Sequence, residues 1–221
     1  MIIAISGKKL SGKDTAALGL IERHKFVRIS FADKLKDICS KVFNIPREDL
    51  DDPIKKEASF TRPILIGHNH IYMLLDILED DGFFISENSY RAISHEFINK
   101  QLNSLRQLMQ VVGTDIIRNY VDNEVWLKYL KKTMDKTNSD NFVIADARLR
   151  NEREFLKSLG ATLILIKRNG LVSTDTHSSE NDLGDESDYD VVIDNNKSII
   201  ELQSGISLWW TFKRDGTSSN Y

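Results

Sequence analysis

The chain has 221 residues, 41% of them hydrophobic and 29% charged, which suits one α/β domain with a sizeable core. Thirty Lys and Arg against 33 Asp and Glu leave a net charge of -3, too little clustered positive charge for polymeric nucleic acid as a partner. No apolar run approaches the ~18 residues of a membrane span, no disulfide can form from the single cysteine, Cys39, and a cytoplasmic protein is expected.

The chain opens on "MIIAIS", an apolar run that reads as a buried strand over 2–6. "GKKLSGKDT", residues 7–15, follows. Gly7, Gly12 and Lys13 have the spacing of a phosphate-binding loop, in which glycines turn backbone N–H groups inward around a phosphate. The next helix adds the partial positive charge of its N-terminus, and the lysine reaches the outer phosphates. The position after the lysine normally carries a hydroxyl that touches Mg²⁺. Here it is Asp14, with Thr15 one place later. Two roles are open to Asp14: holding Mg²⁺ as an oxygen ligand, or favouring the helix N-terminus while Thr15 touches phosphate.

A helix is predicted over 15–24, and "VRISF", residues 27–31, reads as a second strand. Cys39 lies in "KLKDICSKVF" beside Ile38, Val42 and Phe43, the setting of a small buried side chain. The stretch of about 46–122 carries all three prolines, offers no convincing core strand and becomes helical in "SLRQLMQVVGTDIIRNYV". It reads as an inserted helical subdomain within a core of 1–45 and 123–221. Residues 123–134 repeat Trp126, Leu130 and Met134 on one helical face.

In "NFVIADARLRNE", Asp146 follows an apolar strand, so it stands at the carboxyl edge of a parallel sheet, where ligands bind. A metal–water contact or a hydroxyl-orienting base suits an acid there. Arg148, Arg150 and Arg153 follow, and arginine forks match phosphate oxygens. For Arg150 and Arg153, a solvated helix start is the competing reading. That helix, 151–160, ends on Gly160. Strands over 162–166 and 191–193 bracket residues 169–188, polar and without apolar periodicity, which read as a lid. This stretch holds no Lys or Arg, so cations over a transferred group must come from Lys167, Arg168 and Arg148; His177 is its one potential cation, and Glu180 could position it or a ligand. "LWWTF", residues 208–212, is a core segment or a homodimer contact, and "GTSSNY" a frayed tail.

"SGKKLSGKDT", "SLRQLMQVVGTDIIR", "VIADARLRNERE", "LGATLILIKR", "DTHSSE" and "VVIDNN" occur in the order found in the deoxynucleoside monophosphate kinases of tailed bacteriophages, which the chain resembles over 1–43 and about 104–200. The Lys-Asp-Thr loop ending is a trait of that family. The resemblance implies a P-loop fold, a parallel five-stranded sheet flanked by helices with a helical NMP-binding insertion and a lid. It also implies ATP and Mg²⁺ as cofactors and transfer of the γ-phosphoryl group to a dNMP.

Carried over by motif, Gly7, Lys8, Ser11, Gly12, Lys13, Asp14 and Thr15 hold the ATP phosphates, and Asn195 and Asn196 lie near adenine. Arg106, Gln110 and Arg118 face the acceptor nucleotide, joined by Arg150, His177 and Glu180. Lys13, Asp146, Arg148 and Arg168 serve catalysis, with Asp14 and Asp146 as the metal ligands. Two alternatives stay open: another small-molecule kinase of this architecture, acting on dephospho-coenzyme A or phosphomevalonate, and a nucleotide-binding switch without an acceptor.

Overall fold

Five short runs rich in β-branched residues form one parallel sheet: β1 (Ile2–Ser6), β2 (Val27–Ile29), β5 (Phe142–Ile144), β6 (Thr162–Lys167) and β7 (Val191–Asp194), in the order β2-β5-β1-β6-β7. The computed structural model describes residues 1–171 and 182–216. β1 is central, and its Ile3, Ala4, Ile5 and Ser6 are fully buried. A strand covered on both faces must be apolar throughout, which is why β1, β5 and β6 do not alternate, whereas the outer strands β2 and β7 do in their burial. The parallel five-stranded sheet flanked by helices matches the expected fold class, and each strand lies within two residues of its predicted bounds. Among the described residues, no helix is long and apolar enough to cross a membrane.

The chain divides into two compact units, Met1–Phe31 with Leu130–Tyr221, and Ala32–Tyr129. In the first, helices α1 (Lys13–His24) and α9 (Ile199–Arg214) pack together over the sheet. Small residues on α1 permit the close approach: a Cβ on Gly19 would lie 3.0 Å from the Gln203 carbonyl oxygen. Trp210 is buried edge-on against Phe26, ring centroids 5.1 Å apart, so "LWWTF" contributes to the core. Ser198 caps α9 by accepting from the Glu201 N–H at 3.2 Å, while Glu201 accepts from the Ser198 N–H at 3.0 Å. Helix α8 (Arg150–Ser158) stops just before Gly160, whose φ of 78° lies in the left-handed region.

The second unit contains α2 (Ala32–Phe43), α3 (Pro53–Glu57), α4 (His68–Asp80), α5 (Glu87–Phe97) and α6 (Leu105–Gln110). The last continues as a π-helical segment, Val111–Val121, closed by the Asp122 N–H donating to the Ile117 carbonyl at 3.0 Å. Strands β3 (Ser59–Leu65) and β4 (Gln101–Ser104) pair antiparallel as a two-stranded ribbon, separate from the main sheet. Neither strand is predicted from the sequence. β3 is mostly exposed and interrupted by Pro63, so it lacks the apolar alternation that marks a half-buried strand. Helix α7 (Val125–Lys136) runs across the boundary of the two units.

Cys39 is fully buried on α2, and burial pushes its thiol well above the ordinary range, as expected for an inert packing residue. His24, at the end of α1, holds its Nε2 2.6 Å from the Ser207 hydroxyl and lies edge-on to Trp210. Burial, reinforced by Arg214 and Arg23, lowers its pKa below 6.5. Below about pH 6.5 the unfolded chain therefore takes up a proton that the folded chain resists, and stability falls as pH drops toward the folded value. Urea midpoints at pH 7.5 and 5.5 should show this fall in the wild-type protein and a shallower one in His24→Gln; equal slopes would exclude His24 as a contributor.

Candidate active site

The loop between β1 and α1 is shaped by two glycines. Gly7 has φ 151° and Gly12 φ 102°, and a Cβ at either would collide: at Gly7 with the Ile166 carbonyl oxygen at 2.4 Å, at Gly12 with Asn195 Nδ2, also at 2.4 Å. The Ser11 N–H closes a turn onto the Lys8 carbonyl at 3.1 Å, and Lys13 Nζ donates to the same oxygen at 2.8 Å. Lys13 is buried, so its ammonium is held at the loop rather than in solvent. Gly12 caps α1 without a side-chain bond, leaving the first helical turn without a side-chain acceptor at its N-cap.

The Ser11 hydroxyl is fully buried and has no hydrogen-bond partner among the described residues. An orphaned buried donor is costly unless a ligand satisfies it. Positive-φ glycines, an uncapped helix start, a buried lysine and an orphaned hydroxyl together fit a polyphosphate. Asp14 is exposed in the first turn of α1, 3.9 Å from Arg28. Thr15 is half-buried on the same turn.

Asp146 stands two residues beyond β5, beside the end of β2. Its Oδ2 accepts from the Ser30 hydroxyl at 2.5 Å and its Oδ1 from the Phe31 N–H at 3.3 Å. Sequence reasoning missed Ser30. The missing information was the strand order: with β2 next to β5 and Ile29 paired with Ile144, Ser30 reaches the carboxylate that follows β5. Ser6, at the end of β1, donates to the Ala147 carbonyl at 2.6 Å and ties the loop's root to the same stretch.

Arg148 is gripped through its backbone. Its N–H donates to Glu152 Oε2 at 2.9 Å, and its carbonyl accepts from Arg153 Nη1. Glu152 and Arg153 are both buried. Arg153 is therefore not the solvated residue that the competing reading allowed: it also donates to the Asp182 carbonyl and lies over the Tyr189 ring, 5.7 Å from its centroid. Arg150 is exposed; its guanidinium bonds Glu154 at 2.7 Å, which raises its pKa, and its N–H donates to Asp182 Oδ2 at 2.8 Å. The Arg150 side chain thus points along the surface of α8.

Arg168 is exposed directly after β6, and Lys167 pairs with Glu186. Asn195 is buried after β7, its Nδ2 donating to the Ser11 carbonyl at 2.8 Å. Asn196 Oδ1 accepts from the Asn169 N–H, also at 2.8 Å. His177 and Glu180 lie outside the described residues, as do the other residues of 172–181 in the stretch read as a lid.

On the Ala32–Tyr129 unit, Arg106 and Gln110 are one α-helical turn apart on α6, and Arg118 lies in the π-helical segment. Arg106 pairs with Glu57. Arg118 is buried, with Nη1 donating to the Asn123 carbonyl at 3.4 Å. Among the described residues, no three His, Cys, Asp or Glu side chains converge on a metal position.

A buried lysine in a glycine loop between a central parallel strand and a helix, with an acid at the carboxyl edge of the neighbouring strand, defines a P-loop phosphotransferase. The model of the family described as deoxynucleotide monophosphate kinase matches residues 58–206. A protein of Acanthamoeba polyphaga mimivirus is 33% identical, covering 93% of this chain and 94% of that relative. The deoxynucleotide monophosphate kinase of Enterobacteria phage T4 is 29% identical over 93% of this chain and 96% of its own. The deoxynucleoside-5'-monophosphate kinase of Escherichia phage T5 is 27% identical over 71% of this chain and 72% of its own. The chain belongs to the deoxynucleotide monophosphate kinase family.

Ser30 is expected to hold the Asp146 carboxylate in place. Ser30→Ala should lower kcat about tenfold and the melting temperature by a few degrees, about the value of one hydrogen bond to a charged group. Unaltered turnover would separate Ser30 from the site.

Proposed function

We propose that this protein transfers the γ-phosphoryl group of ATP to a deoxynucleoside monophosphate, giving dNDP and ADP and feeding dNTP supply for DNA synthesis. The observation that carries the reading is the phosphate loop, with Lys13 buried against the Lys8 carbonyl and the Ser11 hydroxyl orphaned inside it, in a chain of this family. When bound, ATP supplies the phosphoryl group and Mg²⁺ spreads its charge. The chain's own residues then bind and align the two nucleotides, neutralise charge and exclude water.

Lys13 and the N–H groups from Gly7 to Thr15 bind the donor phosphates, and Lys8 closes the loop through its carbonyl. Asp146, fixed by Ser30 and Phe31, and Asp14, exposed on the first helical turn, are the oxygen donors for Mg²⁺. Arg148 supplies positive charge to the transferring group from a backbone held at both its N–H and its carbonyl, and Arg168 adds charge from the end of β6. Arg106, Gln110 and Arg118 on the insertion take the acceptor nucleotide. The acceptor phosphate is already an anion, so no strong general base is needed. This accounts for a site rich in cations whose assigned catalytic residues include no histidine.

Lys13→Ala and Arg148→Ala should each lower kcat by several powers of ten (roughly 4 kcal/mol or more of transition-state stabilisation) in a coupled assay for ADP. Near-normal turnover in either variant would remove that residue from the mechanism. A panel of dNMPs, NMPs, dephospho-coenzyme A and phosphomevalonate tests the acceptor: ADP formation should depend on a dNMP. Slow ATP hydrolysis indifferent to every acceptor would mark a switch instead.

A further inference from the structure

The family resemblance puts Asn195 near adenine, but its side chain is directed at the phosphate loop. Its Nδ2 donates to the Ser11 carbonyl at 2.8 Å in a buried contact, 184 positions apart in sequence. Its own N–H donates to the Lys167 carbonyl at 2.7 Å, so the residue is fixed to the end of β6 while its side chain grips the loop. The next residue is fixed as well, since Asn196 Oδ1 accepts from the Asn169 N–H at 2.8 Å. The contact is also close-fitting. A Cβ on Gly12 would meet Asn195 Nδ2 at 2.4 Å and Leu202 Cδ2 at 3.0 Å.

The peptide joining Ser11 to Gly12 is planar and trans, as is every peptide bond described in the chain. In such a unit the C=O and N–H point in opposite directions. Holding the Ser11 carbonyl toward Asn195 therefore turns the Gly12 N–H the other way, and Gly12 adopts the positive φ of 102° that a backbone anion cradle requires. Without a partner, this peptide plane could rotate, because glycine on one side removes the steric barrier to both orientations.

We propose that Asn195 is a positioning residue for the phosphate loop: its amide locks the Ser11–Gly12 peptide with the Gly12 N–H turned toward the nucleotide's phosphates. The role rests on the reading of this loop as the donor-phosphate site. It differs from an adenine contact in what it predicts for a ligand that has no base.

The test uses the full-length protein, with inorganic tripolyphosphate and ATP as separate calorimetric probes. Asn195→Asp keeps the shape and removes the donor. It should weaken both probes by the same factor, about tenfold or more for a buried hydrogen bond replaced by a carboxylate oxygen facing the Ser11 carbonyl oxygen, two acceptors with no proton between them. In turnover, KM for ATP should rise while KM for the acceptor stays within about twofold (~0.4 kcal/mol). Asn195→Ser should recover part of the loss in both probes. If Asn195→Asp does not fold, Asn195→Ala reads the same two probes. Loss of ATP affinity with tripolyphosphate unaffected would overturn the proposal in favour of an adenine contact. A lowered melting temperature with both affinities intact would overturn it in favour of a packing role. Tripolyphosphate binding by the wild-type protein with no transfer to any dNMP would instead sink the kinase reading and leave the loop assignment standing.

Discussion

The site depends on a conformation that only glycine holds cheaply. Gly7 and Gly12 sit at positive φ, and each faces a neighbour too close for a side chain: the Ile166 carbonyl in one case, the Asn195 amide in the other. Gly7 lies against the Ile166 carbonyl of β6 and Gly12 against the Asn195 side chain that follows β7, so on the proposed reading the loop's peptide groups are oriented before any anion arrives. Preorganised donors need little reorganisation when charge develops, which is the main source of their catalytic value. The energetic cost is visible in the same few residues: a buried ammonium at Lys13 and an orphaned hydroxyl at Ser11 are tolerable in a site meant to hold phosphate and destabilising otherwise.

The parallel sheet supplies the rest of the geometry. All five strands run the same way, so their carboxyl ends lie along one edge and deliver side chains from distant parts of the sequence to it. Ser6 from β1, Ser30 from the end of β2 and Asp146 from beyond β5 meet there because β5 lies between the other two strands. A hydroxyl from each flanking strand is directed at the stretch 146–147, one taking the carboxylate and the other the next carbonyl. Stiff β-branched strands, with β1 and β5 buried on both faces, make these distances hard to change.

Much of this was legible in the residues themselves. Long apolar runs mark the core strands because a fully covered strand leaves no room for polar side chains, and the glycine–lysine spacing marks the loop because few other residues tolerate its backbone. What escaped reading has a common cause: contacts between elements far apart in sequence. Ser30 is unremarkable until β2 is placed next to β5. Asn195 reads as one of two similar asparagines until one side chain is found on the phosphate loop and the other on Asn169. The β3–β4 ribbon gave no signal because β3 is mostly exposed and has no buried face to set a period, while β4 spans four residues of which only Leu102 is a buried apolar one, too short a run to show alternation. The π-helical run from Val111 to Val121 is likewise invisible, since its apolar residues satisfy an α-helical pattern nearly as well.

Arg148 shows why charge is buried beside the site rather than kept only in it. In the role proposed for Arg148 its guanidinium must be available to anions, so its aim is best set from the backbone. Glu152 takes the N–H and Arg153 takes the carbonyl, both from the first turns of α8. Both of these side chains are buried, and burying charged groups rarely gains stability over apolar packing of the same size. The value lies in direction. Glu152 also accepts from the Leu149 N–H at 3.1 Å, and Arg153 reaches the Asp182 carbonyl, so the turn carrying Arg148 is tied to the start of the next helix and to a segment roughly thirty residues further on. A methionine or leucine in either place would fill the volume, but it would leave the Arg148 peptide groups without these partners and free to reorient. The three arginines of "RLRNER" thus differ in setting: the Arg148 backbone is held at both its N–H and its carbonyl, the Arg150 guanidinium pairs with Glu154 on the exposed face of α8, and the buried Arg153 bonds the Arg148 carbonyl.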